Sequence, residues 1–351
     1  MAAALTVGEL PESEYGRWEK FVAQAPAGSP YSLPGYLDAL CIAAGGRFRL
    51  LAARQGEEIA GGVALYECDS RLGRSVSPRL LLYYNGIMVR RYETQYPSES
   101  TGRVLRVLGA LEEGLRGAGY ASVNFRSRGL LDARPFLAQG WTAVPSYSYV
   151  MDLSDLTASW GRVEQNLRRL IERAESQGLS FSGDQDFDAF FSLHASTLER
   201  HGTGVYLPRA AFERFVTTLG ERNLGRLYLV RAPDGRAVAA QLCLLGPHPV
   251  SHTASAGADP EFNKAGASAF LRWRAFQALA ALGFKGNDLT DASLNPVTHF
   301  KSQFGGNLEL TLVLQSPVSA AFRAGAAIGA AAGKARGNLG AMARRLMGKD
   351  P

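Results

Sequence analysis

The spacing of apolar and polar residues predicts an alternation of helices and strands along most of the chain. Apolar residues recur every three or four positions over 99–118 and again over 266–282, which is typical of helices that bury one face. Alternating or continuous apolar runs bounded by turn residues predict strands. The predicted strands cover residues 47–54, 59–67, 80–89, 121–126, 141–153, 225–232, 236–246, 250–257, 286–290 and 307–315.

A further amphipathic helix is expected over 158–177, with Trp160 and Leu167 on its apolar side. Shorter helical patterns cover residues 13–24, 34–43, 135–139, 186–200, 208–219 and 296–304. Strands that are joined both by hairpins and by helical crossovers favour an α/β (α+β) fold built on mixed sheets.

The second half of the chain resembles the first at a spacing of 164 residues. At this spacing Gly102 corresponds to Gly266, and residues 136–139 correspond to 300–303. Two similar units predict two tandem domains, each a mixed β-sheet flanked by helices. The predicted units are residues 1–157, residues 158–316 and a basic Ala/Gly-rich tail of residues 317–351.

Composition excludes a disordered or disulfide-rich protein. Hydrophobic residues make up 46% of the 351 residues and charged residues 20%, which is enough to build buried cores. Cys41, Cys68 and Cys243 lie far apart in apolar stretches, so we expect free thiols in a reducing compartment. No secretory signal and no apolar run long enough for a transmembrane segment is present, which favours a cytoplasmic protein.

The net charge of +6 suits an anionic partner, namely a phosphorylated cofactor, a nucleic acid or an acidic membrane surface. Much of the excess lies in the 317–351 tail. A frayed basic tail is one interpretation of that segment. Contact with RNA or peripheral binding at the inner face of the membrane is the other.

The loop before the 266–282 helix is a candidate phosphate site. Small residues there leave the backbone N–H groups of the helix start uncovered, and such groups bind anions, ideally a diphosphate. The alternative is an ordinary helix start capped by Ser268 or Asn263. The candidate cofactor-binding residues are Asn263, Lys264, Gly266, Ala267 and Ser268.

The order strand, Gly-bearing loop, helix, short strand, short helix, strand resembles the GNAT acyltransferase superfamily. Members hold the pyrophosphate of acyl-CoA on a loop of pattern Arg/Gln-x-x-Gly-x-Gly/Ala. The loop here keeps the central Gly266 but has Asn263 and Ser268 at its first and last positions. The resemblance implies an acyl-CoA donor and no metal.

Two segments resemble Fem-type transferases in particular. One is the 160–179 segment, with Trp160, Asn166 and Gly178-Leu179, and the other is His299-Phe300-Lys301-x-x-Phe304-Gly305-Gly306. His201-Gly202 followed by Tyr206 also fits this group. The resemblance covers about residues 30–315. Fem-type enzymes transfer an amino acid from aminoacyl-tRNA to a peptidoglycan precursor, so tRNA is a second candidate partner.

Lys301 is the main catalytic candidate. Acyl transfer builds negative charge on the carbonyl oxygen, and a fixed cation beside that oxygen lowers the barrier. The resemblance places this lysine near the acyl donor, whereas a surface lysine on a short helix is the alternative. The corresponding residue of the first half is Leu137, so the fold itself does not require a cation there.

Three further residues are candidates for proton transfer. Asp288 could take a proton from the attacking amine, or it could cap a turn or pair with Lys285. His201 could act as a base or could cap a helix. Tyr206 could place a substrate or donate a proton, or it could simply pack. No carboxylate completes a metal site with His194 and His201.

The acceptor is expected to bind between the two halves, where the resemblance places Tyr84 and Asn85, with Phe304 as a further substrate contact. The predicted reaction is formation of an amide from an activated acyl donor and an amine of a small molecule or peptide. A Fem-type aminoacyl-tRNA-dependent transferase acting on a cell-wall or peptide precursor is the first alternative. A non-catalytic binding module is the second.

Overall fold

One mixed sheet of thirteen strands runs through both halves of the computed structural model, which describes residues 4–79, 81–130, 132–320 and 322–324. The strands are β1 (Leu5–Glu9), β2 (Arg47–Gln55), β3 (Glu58–Ser70), β4 (Gly73–Val76), β5 (Met88–Val89), β6 (Ser122–Arg128), β7 (Thr142–Asp152), β8 (Ser180–Ser182), β9 (Gly225–Arg231), β10 (Ala237–Leu244), β11 (Val250–Ala258), β12 (Gly286–Asp288) and β13 (Asn307–Gln315). The helices are α1 (Tyr15–Gln24), α2 (Pro34–Ala44), α3 (Pro97–Gly117), α4 (Arg134–Leu137), α5 (Leu156–Arg162), α6 (Gln165–Ser176), α7 (Phe187–Arg200), α8 (Arg209–Glu221), α9 (Ala267–Ala281) and α10 (Pro296–Ser302).

Each half of the chain contributes its last strand to the other half. The strand order is β1-β2-β3-β4-β6-β13-β7-β12-β11-β10-β9-β8, with β5 on β3. Thus β13 pairs with β6, and β7 pairs with β12. The apolar residues follow this exchange, because Leu314 of β13 packs in the core of the first half and Met151 of β7 packs in that of the second.

Three hydrophobic cores cover the sheet. On one face, α3 and α4 enclose a core of the first half, and α6 and α9 enclose a core of the second half. On the other face, residues of both halves form a single core, in which Tyr36 of α2 packs against Phe215 of α8 with ring centroids 5.6 Å apart. The two halves are therefore joined by the sheet and by one shared helical layer.

The predicted fold class is confirmed, and both halves show the same order of three strands, helix, strand, short helix and strand, apart from the additional two-residue β5 of the first half. The sequence did not indicate that the strands of the two halves would form a single sheet. The 157/158 boundary stays a prediction. Much of the predicted tail, residue 321 and residues 325–351, lies outside the described residues. In the part of the chain that is described, no helix is both long and apolar enough to cross a bilayer.

Two predicted elements were wrong. The 158–177 helix is interrupted at Val163 and Glu164, where the turn after α10 packs and the Glu164 N–H donates to the Gln303 carbonyl at 2.9 Å. The 80–89 strand is reduced to Met88–Val89. Leu81, Leu82, Tyr84 and Ile87 of this segment are buried in a loop between the halves, and an apolar run does not by itself distinguish a strand from such a loop.

Candidate active site

Asp288, the last residue of β12, lies fully buried where the two halves meet. Its Oδ2 accepts a hydrogen bond of 3.0 Å from the Tyr84 hydroxyl. Its Oδ1 accepts from the Ser148 hydroxyl and, at 2.7 Å, from the Thr290 N–H. Both halves therefore contribute to fixing this carboxylate.

The charge of Asp288 is balanced by Arg128 at the end of β6. Arg128 Nε lies 3.2 Å from Asp288 Oδ2, and both side chains are buried. Arg128 Nη2 also lies 3.2 Å from Oε2 of Glu309, a partly exposed residue of β13. Burial of an ion pair is tolerated best when each charge has a close partner and its other polar atoms are hydrogen-bonded. The Asp288 oxygens meet this condition, whereas Nε and Nη1 of Arg128 have no hydrogen-bond partner among the described residues.

His252 of β11 stands beside Asp288 in the parallel β11–β12 pair. Its Nδ1 lies 3.9 Å from Asp288 Oδ2, and its ring contacts those of Tyr31 and Tyr84 at centroid distances of 5.3 and 5.6 Å. Neither ring nitrogen has a hydrogen-bond partner among the described residues. Burial lowers the pKa of His252 to about 3, so the imidazole is neutral at physiological pH.

Lys301 of α10 approaches the same turn from the other side. Its ammonium donates to the carbonyl of Thr290 and, at 2.8 Å, to that of Asp291. Both of those residues have left-handed backbones, with φ of 47° and 44°. An ammonium has three donors, so one N–H of Lys301 is not used by these carbonyls.

The Lys301 ammonium remains largely protonated at neutral pH. Burial, assisted by the positive charge of Arg272, lowers its pKa to about 8, whereas Asp291 and Asp288 act in the opposite direction. Thr290 connects the two candidate catalytic groups, since its N–H binds Asp288 and its carbonyl binds Lys301.

The pairing of β11 with β12 ends next to this turn, where the Thr290 hydroxyl still donates to the Thr253 carbonyl at 3.2 Å. Strand β12 pairs with β11 only over Val250–His252, and from Thr253 onward β11 pairs, within the described residues, only with β10. Helix α9 begins just beyond the far end of β11. The edge of β11 that faces away from β10 therefore has no strand partner, among the described residues, from Thr253 to the start of α9.

The start of α9 is held tightly against α6. Gly266 has a φ of 84°, and a Cβ there would lie 2.3 Å from the Leu170 carbonyl oxygen. The Asn263 carbonyl accepts from the Gly266 N–H, and the Lys264 carbonyl accepts from Arg173 at 3.3 Å. No side chain among the described residues caps the helix start, so its N–H groups are available to an anion.

The close approach at Gly266 makes a testable prediction. Gly266→Ala should lower the free energy of unfolding by at least about 1–2 kcal/mol, because alanine is strained at this φ and its Cβ would meet α6. Gly102→Ala is the matched control, since Gly102 lies inside α3 with open space around it and should gain up to about 1 kcal/mol. Urea unfolding of both variants measures the difference, and equal effects would contradict this role for Gly266.

Two other predicted site residues, Tyr206 and His201, have no hydrogen bond or ion pair with Asp288 in the described structure. The Tyr206 hydroxyl is 2.8 Å from Ser255 Oγ, and burial raises the pKa of Tyr206 to about 12. His201 is exposed at the end of α7 and, in the described structure, its side chain has no hydrogen bond, ion pair or ring contact. The structure therefore brings together Lys301, Asp288 and Tyr84, but not His201.

Asn85 and Phe304 have structural contacts that account for their positions. The Asn85 amide donates to the Asn124 carbonyl at 3.0 Å and accepts from the Arg126 N–H at 2.9 Å. Phe304 is fully buried against Phe276, with ring centroids 5.5 Å apart. Their contact with a substrate, like that of the residues at the α9 start, stays a prediction.

Arg128, Ser148 and His252 were missed by the sequence reasoning. Each lies in a strand that carries several other polar residues, so the sequence alone does not single it out, whereas its burial in the sheet does. A polar side chain is kept inside a sheet only where it finds partners, so such positions identify candidate sites.

Part of the chain matches a known protein family in sequence. Residues 161–302, which include Gly266, Asp288 and Lys301, match the family model described as acetyltransferase (GNAT) domain. No curated protein matches the chain in sequence.

Solved structures share the fold over most of the chain at low identity. The crystal structure of FemX is 13% identical with a TM-score of 0.68, covering 87% of this chain and 96% of that one. The C-terminal domain of a putative lysylphosphatidylglycerol synthetase from Agrobacterium fabrum is 14% identical with a TM-score of 0.56, covering 89% and 94%. A tandem GNAT protein from the clavulanic acid biosynthesis pathway is 12% identical with a TM-score of 0.52, covering 90% and 100%.

The family match and the shared fold support an acyl- or aminoacyltransferase, and they leave the donor and acceptor open. The segment that carries Gly266, Asp288 and Lys301 thus matches the GNAT domain family, and the chain as a whole shares its fold with FemX and with a tandem GNAT protein.

Proposed function

We propose that this protein forms amide bonds by moving an acyl group from acyl-CoA to an amine. The observation that carries the proposal is the buried ammonium of Lys301, fixed by two backbone carbonyls at the end of β12 beside Asp288. This arrangement puts a preorganised cation next to a carboxylate within a GNAT domain.

Lys301 stabilises the oxyanion. When the amine attacks the thioester carbonyl, the C–N bond forms and the carbonyl oxygen becomes negative. The third N–H of Lys301 donates to that oxygen, and it does so without reorganisation because Thr290 and Asp291 already hold the ammonium. One such donor typically contributes about 2.7–4 kcal/mol to the barrier.

Asp288 receives the proton that the amine loses. The carboxylate is buried, so a hydroxyl group bound to it, that of Tyr84 or Ser148, relays the proton. Collapse of the tetrahedral intermediate then breaks the C–S bond, and coenzyme A leaves as a thiolate that takes a proton from solvent, while Asp288 returns the amine proton to solvent through the same hydroxyl. The alternative base, His201, has no contact with Asp288 or with its hydroxyl partners in the described structure.

The start of α9 binds the phosphates of the donor. Its N–H groups have no capping side chain in the described chain, and the adjacent Lys264 adds positive charge. The amine acceptor enters from the face of the sheet shared by both halves, where Tyr84 lies.

The test is a transfer assay with two donor classes. Incubation with acetyl-CoA and a panel of amines should release free thiol in an amine-dependent manner, and coenzyme-A resin should retain the protein until free coenzyme A is added. If only aminoacyl-tRNA supports transfer, and if the affinity for charged tRNA falls steeply with salt concentration, the donor is aminoacyl-tRNA, as in Fem-type enzymes, and not acyl-CoA. If neither donor supports transfer, the non-catalytic binding module is the remaining interpretation.

A further inference from the structure

Arg272 is a buried cation without a counter-ion. It lies in the second turn of α9 and is only 8% exposed. Its guanidinium makes no hydrogen bond or ion pair with any described residue, and its Nη1 is fully buried. The remainder of this helix face is apolar and packs in the core of the second half.

The neighbours of Arg272 do not neutralise it. It lies beside the thiol of Cys243, whose pKa is raised by burial, so that the thiol is uncharged at neutral pH. It also lies close enough to Lys301 to lower the pKa of that ammonium. Asp288 already has Arg128 as its partner. Arg272 and Lys301 are therefore two cations near enough to repel each other, and no carboxylate of the described chain pairs with Arg272.

The fold does not require these cations. At the spacing that relates Gly102 to Gly266, Arg272 corresponds to Leu108 and Lys301 corresponds to Leu137. Leu108 is fully buried in the core of the first half, where an apolar side chain fills the place. An unpaired charge is costly to bury, so its presence in the second half indicates a ligand that supplies the missing anion.

A second buried donor adjoins the same place. The hydroxyl of Tyr228, on β9, lies close to Cys243 and Arg226 and has no acceptor for its proton among the described residues. Burial raises the pKa of Tyr228 to about 12, so this hydroxyl keeps its proton. Arg272 and Tyr228 thus offer N–H and O–H donors on the sheet side of α9.

The position of Arg272 selects among anionic groups. It lies roughly 8 Å along the helix from Ala267, too deep for phosphates that bind at the helix start. The group that reaches it belongs to the acyl end of the donor. A guanidinium presents two parallel N–H donors that match a carboxylate. An aminoacyl group would instead bring its α-ammonium towards two cations.

We propose that Arg272, assisted by Tyr228, binds a carboxylate at the far end of the acyl group, so that the preferred donors are dicarboxylic acyl thioesters such as succinyl-CoA. This inference rests on the proposed function for its donor class. It adds a specificity-determining residue to the site around Lys301.

Calorimetric titration with a pair of donors tests the inference. The wild type should bind succinyl-CoA at least about tenfold more tightly than butyryl-CoA, which lacks the carboxylate; such a ratio is typical of one charge-assisted hydrogen bond. Arg272→Met should abolish that ratio, and Tyr228→Phe should reduce it. Arg274→Met, which removes a more exposed arginine of the same helix, is the matched control and should preserve it.

Two further measurements distinguish misfolding of the variant, failure of this inference and failure of the proposed donor. Because Arg272 has no partner to lose, Arg272→Met should unfold at the same or a higher temperature than the wild type, which excludes misfolding as the cause. Free glutarate should stabilise the wild type against heat and not Arg272→Met, whether or not coenzyme A binds. Equal binding of succinyl- and butyryl-CoA overturns the inference alone. Absence of any coenzyme-A binding, with the glutarate effect retained, overturns the proposed donor alone.

Discussion

Lys301→Ala is expected to lower kcat about 100- to 1,000-fold while leaving the affinity for the donor nearly unchanged. The ammonium acts on charge that appears only in the transition state, so its loss affects the chemical step rather than binding. Lys285→Ala is the matched control, because Lys285 is an exposed lysine just before β12. Equal kcat values for the two variants would remove Lys301 from the mechanism.

The pH profile gives a second readout of Lys301. The protonated ammonium is the active form, and its pKa is lowered to about 8 by burial. The rate constant should therefore be highest below pH 8 and should fall about tenfold per unit above it. Lys301→Arg keeps a positive charge at every accessible pH, so the descending limb should disappear in that variant. A wild-type profile that stays flat to pH 10 would contradict the assignment.

Asp288→Asn is expected to cost about 3–5 kcal/mol of unfolding free energy, the range observed when one member of a buried ion pair is removed. The change leaves Arg128 buried beside a neutral amide. It also places an NH₂ group close to the hydroxyls or the N–H that now donate to the carboxylate. Urea unfolding measures the loss, and kcat measured well below the transition reports the role of the carboxylate in catalysis.

Glu309→Gln tests whether the loss of stability expected for Asp288→Asn depends on the burial of the Arg128–Asp288 pair. It removes one negative charge beside Arg128, as Asp288→Asn does, but from a more exposed position. Glu309 is the other carboxylate that contacts Arg128, at the same 3.2 Å, but its side chain is 40% exposed. Exposed pairs contribute roughly 0–1 kcal/mol, so this variant should be nearly as stable as the wild type. A loss as large as that of Asp288→Asn would mean that Arg128, rather than the buried carboxylate, determines the stability of the junction.

The apolar spacing was sufficient to predict most of the elements but not how they assemble. The predicted strand over 307–315 has the bounds of β13. Its position between β6 and β7 was not predictable, because a strand with alternating apolar and polar residues could pair equally well within the sheet of either half. The loop around Tyr84 was misassigned for a related reason, since burial by the other half makes a loop as apolar as a strand.

The candidate site was only partly predictable from sequence. Lys301 and Gly266 belong to local patterns of residues, and such patterns can be recognised without coordinates. Arg128, Ser148 and His252 come from three strands that are distant in the chain. Their proximity to Asp288 results from strand pairing, which a single sequence does not specify.

The exchange of β7 and β13 implies that neither half of this protein is an autonomous folding unit. A polypeptide ending before β7 would leave an open edge at β6, and such an edge is prone to aggregate. A fragment carrying one half together with its own last strand could complete its sheet only by trading that strand with a second molecule. In one continuous polypeptide this strand exchange is intramolecular. Every folded molecule therefore contains both Asp288 from one half and Arg128 from the other.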